Sequence, residues 1–427
     1  MKNINTAPIS GMQELLPEAQ AIFNELKSKI EGVYRGHGYL NIETPVIERD
    51  EVLLAKAGGD TEKQIYRVFK TAETANEADQ ALRFDHTVPL ARYVVEHESD
   101  LVFPFKVSQV GRNFRGERAQ KGRFREFYQC DVDVVGRGSL PLYYDADVIA
   151  TLIDTLRQFK LGTLVRARVS NRKILNGLLT ELGLDEKAGA IFSIIDHAEK
   201  ASIEETKYAM KEEGLDDDLQ VKMLDFMNLH GDRSVVVAKL REMGIENKVF
   251  RDGVDELDVV LRWLEGEGAD DSVEVIADMQ IVRGLDYYTG TVFEFVLPDY
   301  KKVGSVCGGG RYENLAGYFT DQLLPGVGGS IGLTRLFYVL NEQKLLHEAI
   351  GRPLEYAVVP ISDAEIAYAV EIASELRSQG HTVTVVVLPT NKKLGDKLNY
   401  AGKLASKGIV IGESEVASQS YTVKELR

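Results

Sequence analysis

Apolar residues recur at three- and four-residue steps after Pro17: Ile22, Phe23, Leu26, Ile30, Val33 and Tyr34. That period predicts an amphipathic helix, opened by Pro17 and ended by Gly36 and Gly38. The pattern then changes. Residues 39–48, "YLNIETPVIE", read as a strand in which Pro45 marks an edge or an irregularity. Residues 101–115 and 122–136 read as two strands joined by the polar loop "GERAQKG". Residues 142–160 return to the helical period, with Val148, Ile149, Leu152, Ile153 and Leu156 on one face, and a strand follows at 164–169. From 171 to 265 the pattern is helical throughout, rich in Glu, Lys, Asp and Leu, with no strand predicted. Strand patterns resume at 273–282 and 290–297, followed by "GSVCGGGRY" and a glycine-rich stretch that runs into a helix. Beyond 356 strand and helix alternate: strand 356–361, helix 363–379, strand 382–388, helix 393–406, strand 408–412. That is a βαβαβ unit with a largely parallel sheet.

The order predicts an α+β domain with a mostly antiparallel sheet, residues 1–170 and 266–345. It is interrupted by a helical insertion at 171–265 and followed by a small α/β domain at 354–427. A chain of 427 residues has room for two or three such cores. At 44% hydrophobic and 27% charged, the composition is that of a soluble globular protein. No apolar stretch approaches the roughly 18 residues of a membrane span. The start, "MKNINTAPIS", lacks the apolar core of a signal peptide, so a cytoplasmic protein is expected. Cys130 and Cys307 form no CxxC, and the seven histidines form no HExxH. Neither a disulfide framework nor a metal site is signalled.

The net charge is −15, which argues against nonspecific coating of nucleic acid. One window runs the other way. Residues 106–125 hold Lys106, Arg112, Arg115, Arg118, Lys121, Arg123 and Arg125 against Glu117 alone. Side chains alternate across a strand, so Arg123, Arg125, Phe127, Gln129, Asp131 and Asp133 share one face. Phe124, Glu126, Tyr128, Cys130, Val132 and Val134 share the other, mainly apolar face. Cations at one end of the polar face, with an amide and carboxylates at the other, suit a ligand that is anionic at one end and a hydrogen-bond donor at the other. A solvent-facing sheet surface accounts for the same alternation. "RGLDYYTGTVFE" (283–294) sharpens the question, because Arg283, Asp286, Tyr287 and Tyr288 sit inside an otherwise buried-strand pattern. A buried charge costs several kcal/mol unless something pairs with it. Strand alternation puts Arg283 and Tyr288 on opposite faces. If both line one pocket, the strand is irregular, with a bulge near Thr289–Gly290 one way to re-aim them. "GVGGSIGLTR" has Ile331 where a dinucleotide fingerprint needs glycine, and no GxxxxGK[ST] occurs. Its glycines, like those of "CGGGRY" (307–312), imply backbone approached closely by packing or by a ligand.

Taken together, these stretches resemble the histidyl-tRNA synthetases, class II aminoacyl-tRNA synthetases. "RGLDYYTGTVFE" and "GGGRY" resemble the family's two histidine-specific signatures. "FRGERAQKGRFREF" resembles class II motif 2, "GSIGLTR" resembles motif 3 ending in Arg335, and the helix into "TPVIE" resembles motif 1 at Pro45. The likeness spans the chain in order, including the insertion and an anticodon-binding-like terminal α/β domain.

The resemblance implies a histidine–tRNA ligase. Histidine and ATP would form histidyl-adenylate, and the histidyl group would pass to the 3′ end of histidine tRNA. Arg115 and Arg283 would be catalytic. Arg115, Glu117, Arg123, Phe127 and Arg335 would bind ATP, with Phe127 and Arg335 sandwiching adenine and Mg²⁺ bridging phosphate oxygens. Asp85, Thr87, Gln129, Asp133, Tyr287, Tyr288 and Tyr312 would bind histidine. Asp133 and Tyr288 would take the two ring nitrogens, and Asp85, Thr87 and Gln129 the ammonium group. Gln129 and Asp133, four apart on one strand face, agree with this independently. Arg118 and Lys121 are candidate contacts to the tRNA acceptor end, and a homodimer is implied. The sequence departs from the family pattern at Thr334, at Met12–Gln13 and at Ala119. The alternative is a non-charging regulatory subunit of histidine biosynthesis. Such paralogues lack the terminal domain and erode the signature arginines, and both features are kept here.

Overall fold

A computed structural model describes residues 4–55, 62–72, 74, 78–120, 122–265, 272–281, 288–343, 345, 352, 354–389 and 392–426. The chain divides into two compact units. One comprises Met1–Gln13 and Leu26–Gln343, the other Glu14–Glu25 and Lys344–Arg427. No helix among the described residues is long and apolar enough to cross a membrane.

A nine-stranded sheet organises the first unit. Its order is Leu40–Asn41, Phe105–Phe114, Glu126–Val135, Gly326–Ile331, Cys307–Tyr312, Tyr288–Val296, Val165–Asn171, Val273–Asp278, His230–Gly231. Leu40–Asn41 runs parallel to Phe105–Phe114, and Val165–Asn171 runs parallel to Val273–Asp278. The remaining pairings are antiparallel, as the predicted sheet requires. The 39–48 stretch is not one strand. Leu40–Asn41 joins the large sheet, whereas Ile47–Arg49 joins a separate three-stranded sheet with Gln80–Leu82 and Arg67–Val68. Pro45 lies between the two pieces, where it has no ladder N–H to give. The region 172–265 is helical apart from the two-residue strand His230–Gly231 at the sheet edge.

The sheet's two faces differ. Cys130, Val132 and Val134 are fully buried on one. The helix Tyr143–Arg157 covers that side with Val148, Ile149, Leu152, Ile153 and Leu156, the residues its period placed on one face. Two polar pins tie helices to the sheet. The Tyr34 hydroxyl donates to the Cys130 carbonyl at 2.9 Å. Arg311 reaches the N-terminal turn of the helix, where its Nε and Nη2 lie 3.0 and 2.7 Å from Asp145 Oδ1. The remaining Arg311 donors meet the Leu140 and Pro141 carbonyls, each at 3.2 Å. Arg311 therefore serves the fold, although it belongs to the "GGGRY" signature.

In the second unit, Leu354–Pro360 lies between Val383–Val385 and Ala405–Ile411, all parallel, and Val423–Glu425 adds an antiparallel edge. Val358 faces Ala369, Ile372, Ala373 and Leu376 of one helix. Its neighbours Ala357 and Val359 face Ala401 of another. A strand buried on both sides is what a continuous apolar run encodes.

Asp145 is fully buried against Arg311, so Asp145→Ala leaves a buried guanidinium without its counter-ion. It should lower stability by about 3–5 kcal/mol, read as a shift of the urea unfolding midpoint with unchanged slope.

Candidate active site

The opposite face of the sheet is polar yet not wet. Gln109, Asp131 and Asp133 are 2%, 4% and 5% exposed, so the solvent-facing reading of this alternation fails. Register explains how these groups come together. Asp133 lies opposite Gly328, which lies opposite Gly310. Asp131 lies opposite Ser330, which lies opposite Gly308. Glycine is required at two of these positions. A Cβ on Gly328 would collide with the Asp133 carboxylate, and one on Gly310 would sit 3.0 Å from the Tyr288 ring. The backbone of these two strands is thus bare where polar side chains from neighbouring strands lie across it.

Tyr312 and Tyr288 arrive from adjacent strands. They are opposite one another in the ladder, but the next registered pair is Val292 with Gly310. The strand carries two extra residues between Tyr288 and Val292, an irregularity in the stretch where a bulge was expected. Arg283 and Tyr287 lie outside the described residues, as does Lys121. The Tyr312 hydroxyl donates to Asp133 Oδ1 at 3.3 Å. Burial pushes the Asp133 carboxyl well above its ordinary value of 3.8; the charge of Asp131 raises it further, Tyr312 opposes, and Asp85 adds to the rise. Burial likewise raises the Tyr312 hydroxyl, helped by Asp133. Asp85 is half-buried, and its Oδ1 accepts from the Val88 N–H at 3.0 Å, at the start of the helix Thr87–Glu96. Thr87 opens that helix. Asp133, Tyr312, Tyr288, Gln129 and Asp85 therefore belong to one end of one sheet face.

The cationic end is built around the loop after Phe114. The Arg115 guanidinium lies between two aromatic rings, 4.4 Å from the Phe84 centroid and 5.0 Å from that of Phe127. Its Nε donates to the Phe84 carbonyl at 3.3 Å. Arg123 is exposed and pairs with Glu117 at 3.2 Å. Arg118 is exposed. The loop closes through paired backbone bonds between Gln120 and Arg123. Its base is braced by the N-terminal segment: the Arg125 N–H donates to the Gly11 carbonyl at 2.7 Å, and the Arg125 side chain reaches the carbonyls of Glu117 and Ser10. Gly11 has φ +83 and packs against Arg125 and Ala119, so the unusual Ala119 sits in this brace. Arg335 is half-buried, its Nη1 donating to the Ser305 carbonyl at 3.0 Å. Thr334, another departure, accepts the Tyr128 N–H at 2.7 Å. Its hydroxyl thereby ties the motif 3 helix to the motif 2 strand, an acceptor role that an acidic side chain could also fill.

A family model described as histidyl-tRNA synthetase matches residues 11–336, the stretch that contains every candidate side chain of this site. The chain belongs to the histidyl-tRNA synthetase family. A second model, described as an anticodon binding domain, matches residues 355–427. A histidine–tRNA ligase of Clostridium tetani is 43% identical over 420 residues, covering 98% of this chain and 93% of that protein. One of Clostridium acetobutylicum is 41% identical over 426 residues, covering 99% and 96%. The crystal structure of histidyl-tRNA synthetase from a Nostoc species superposes with a TM-score of 0.88 at 35% identity, covering 99% of this chain and 95% of that one. The relatives support reading this family member as a ligase and an aminoacyl-tRNA synthetase.

Motif reading missed His86, which is fully buried and whose Nδ1 lies 3.0 Å from Asp131 Oδ2. Its position between Asp85 and Thr87 was the available signal. Ser330 was missed as well, although it lies inside the quoted motif 3.

A carboxyl whose folded value is raised binds its proton more tightly folded than unfolded. Stability therefore falls as pH climbs from 3.8 toward the raised value of Asp133. Asp133→Asn should remove that fall. The variant should melt higher than the parent at about pH 7, with the gap closing in acid, as followed by thermal unfolding across pH.

Proposed function

We propose that this chain activates L-histidine with ATP and transfers the histidyl group to the 3′ end of histidine tRNA. The observation that carries the reading is the polarity of one buried sheet face. Carboxylates, an amide and two tyrosine hydroxyls gather at one end, and Arg115, Arg123 and Arg335 at the other. A histidine carboxylate oxygen would attack the α-phosphorus of ATP, displacing pyrophosphate. A ribose hydroxyl of the terminal tRNA nucleotide would then attack the adenylate carbonyl and release AMP. Positioning and charge neutralisation dominate such phosphoryl chemistry.

Arg115, held between Phe84 and Phe127, would neutralise the α-phosphate. Arg283 would share that task at the histidine carboxylate. Arg123 would meet the outer phosphates, and Phe127, Arg335 and Glu117 would hold the adenine. Magnesium would enter with the nucleotide. Such an ion would be held chiefly by phosphate oxygens and water. Asp133 and Tyr288 would take the two imidazole nitrogens, with Tyr287 and Tyr312 lining the pocket. Gln129, Asp85 and Thr87 would take the ammonium group. A site that hydrogen-bonds both ring nitrogens rejects near-isosteres strongly, because its own polar groups would be left unpaired.

We assign residues 1–170 and 266–345 to the catalytic domain, 171–265 to a helical insertion and 354–427 to anticodon binding. Arg118 and Lys121 would meet the acceptor end of the tRNA. A cytoplasmic homodimer is proposed. The match of residues 355–427 to an anticodon binding domain favours charging over a regulatory role.

A charging assay with ATP, histidine and transcribed histidine tRNA tests the whole reading. Pyrophosphate exchange without charging would sink it in this form. Arg115→Ala should lower exchange by about 10²–10³-fold with the fold intact by circular dichroism, and Arg283→Ala comparably. Asp133→Ala should raise the histidine KM much more than the ATP KM, and an equal rise in both would remove ring recognition from Asp133.

A further inference from the structure

We propose that Asp131, braced by His86 and Ser330, is a positioning residue that fixes which end of the Gln129 amide faces the ammonium group of the amino-acid substrate. The inference rests on the reading that Gln129 meets that group.

A single chain of hydrogen bonds carries it. Asn113 Nδ2 donates to Gln129 Oε1 at 2.9 Å. Gln129 Nε2 donates to Ser330 Oγ at 2.8 Å. Ser330 Oγ in turn donates to Asp131 Oδ1, and His86 Nδ1 lies 3.0 Å from Asp131 Oδ2.

The direction of this chain follows from counting donors. A carboxylate only accepts, so Ser330 must commit its one hydrogen to Asp131. Ser330 can then only accept from its other neighbour. Gln129 must therefore turn its NH₂ toward Ser330, which leaves its carbonyl toward Asn113. That carbonyl has a second lone pair, free for an ammonium N–H. The reversed amide would set its carbonyl oxygen against the Ser330 oxygen, whose one hydrogen is already given to Asp131. His86 completes the terminus. As the donor to Oδ2 it carries its proton on Nδ1, and it is 1% exposed. Its backbone carbonyl accepts from Gln109 Nε2 at 3.3 Å, and Thr44 Oγ1 donates to Gln109 Oε1 at 3.1 Å. The His86 Nε2 atom has no hydrogen-bond partner among the described residues. It looks onto Gly111, whose Cβ, if present, would stand 3.2 Å away. Gly111 is opposite Gln129 in the ladder, so this terminus lies on the same sheet face, beside the amide it orients.

Asp131→Asn is isosteric and able to donate to Ser330, so it permits the whole chain to reverse. The test compares the parent with Gln129→Leu, Asp131→Asn, Ser330→Ala and the Asp131→Asn/Ser330→Ala double variant. Pyrophosphate exchange gives the KM for histidine and for ATP. Inhibition by 3-(imidazol-4-yl)propionate, which lacks the amino group, gives binding without the ammonium contact. Asp131→Asn should raise the histidine KM about 10- to 100-fold, the range of a lost charge-assisted hydrogen bond. The ATP KM and the inhibition constant of the analogue should stay within about twofold. The double variant should be no worse than the poorer single one, because the groups act as a unit. If Gln129→Leu leaves the preference for histidine over the analogue untouched, the ammonium reading of Gln129 fails. If Gln129→Leu abolishes that preference while Asp131→Asn and Ser330→Ala keep it, the positioning role is overturned. Should Asp131→Asn not fold, Ser330→Ala decides alone, since it removes the hydroxyl that transmits the direction.

Discussion

Two carboxylates two residues apart, Asp131 and Asp133, are buried on one strand face, and much of the catalytic sheet is arranged around that fact. Two buried carboxylates so close are costly unless donors surround them. Asp131 receives donors on both oxygens, from Ser330 and His86. Asp133 receives the Tyr312 hydroxyl at a long 3.3 Å. One carboxylate is thus built into the scaffold, and the other keeps acceptor capacity for a ligand. Burial and the neighbouring Asp131 push the Asp133 carboxyl upward, a strain that a hydrogen-bonding substrate would relieve.

The neighbouring strands follow from this constraint. Bare backbone at Gly328 and Gly310 gives the carboxylate and the Tyr288 ring room to lie flat on the sheet. The bulge between Tyr288 and Val292 sets Tyr288 directly opposite Tyr312, where an unbroken ladder would put Gly290. Ionic pins hold the sheet at some distance from the site. Arg311 ties it to the helix Tyr143–Arg157. Farther along, Arg168 pairs with Asp278, Glu294 and Glu199. Burial works against the Arg168 charge, but the three carboxylates outweigh it and hold its pKa above the ordinary value. At the cationic end, rigidity comes from aromatic stacking on Arg115 and from the backbone brace of Gly11 on Arg125.

Much of this was legible in the chain itself. The Glu126–Val135 strand revealed both faces through simple alternation, because from Tyr128 to Val134 its polar and less polar residues alternate. The βαβαβ unit was legible for the same kind of reason, its apolar runs being strong and evenly spaced. The 39–48 stretch was misread as one strand. Its apolar residues Tyr39, Leu40, Ile42, Val46 and Ile47 recur along the whole stretch, and only the partners available on either side of Pro45 split it between two sheets. Arg311 read as part of a ligand signature, but parity sets it opposite Tyr312, and Asp145 lies 166 residues away.

By itself, the sequence determined most element types, the polar strand face and the family, since each rests on local period or on residues contiguous in a motif. Tertiary structure decided which face of each signature meets the site and which polar groups satisfy one another. His86 and Ser330 lie 45 and 199 residues from Asp131, and no local pattern links them. Hydrogen-bond direction is a property of the closed network, because each donor's commitment is set by a neighbour that only folding supplies.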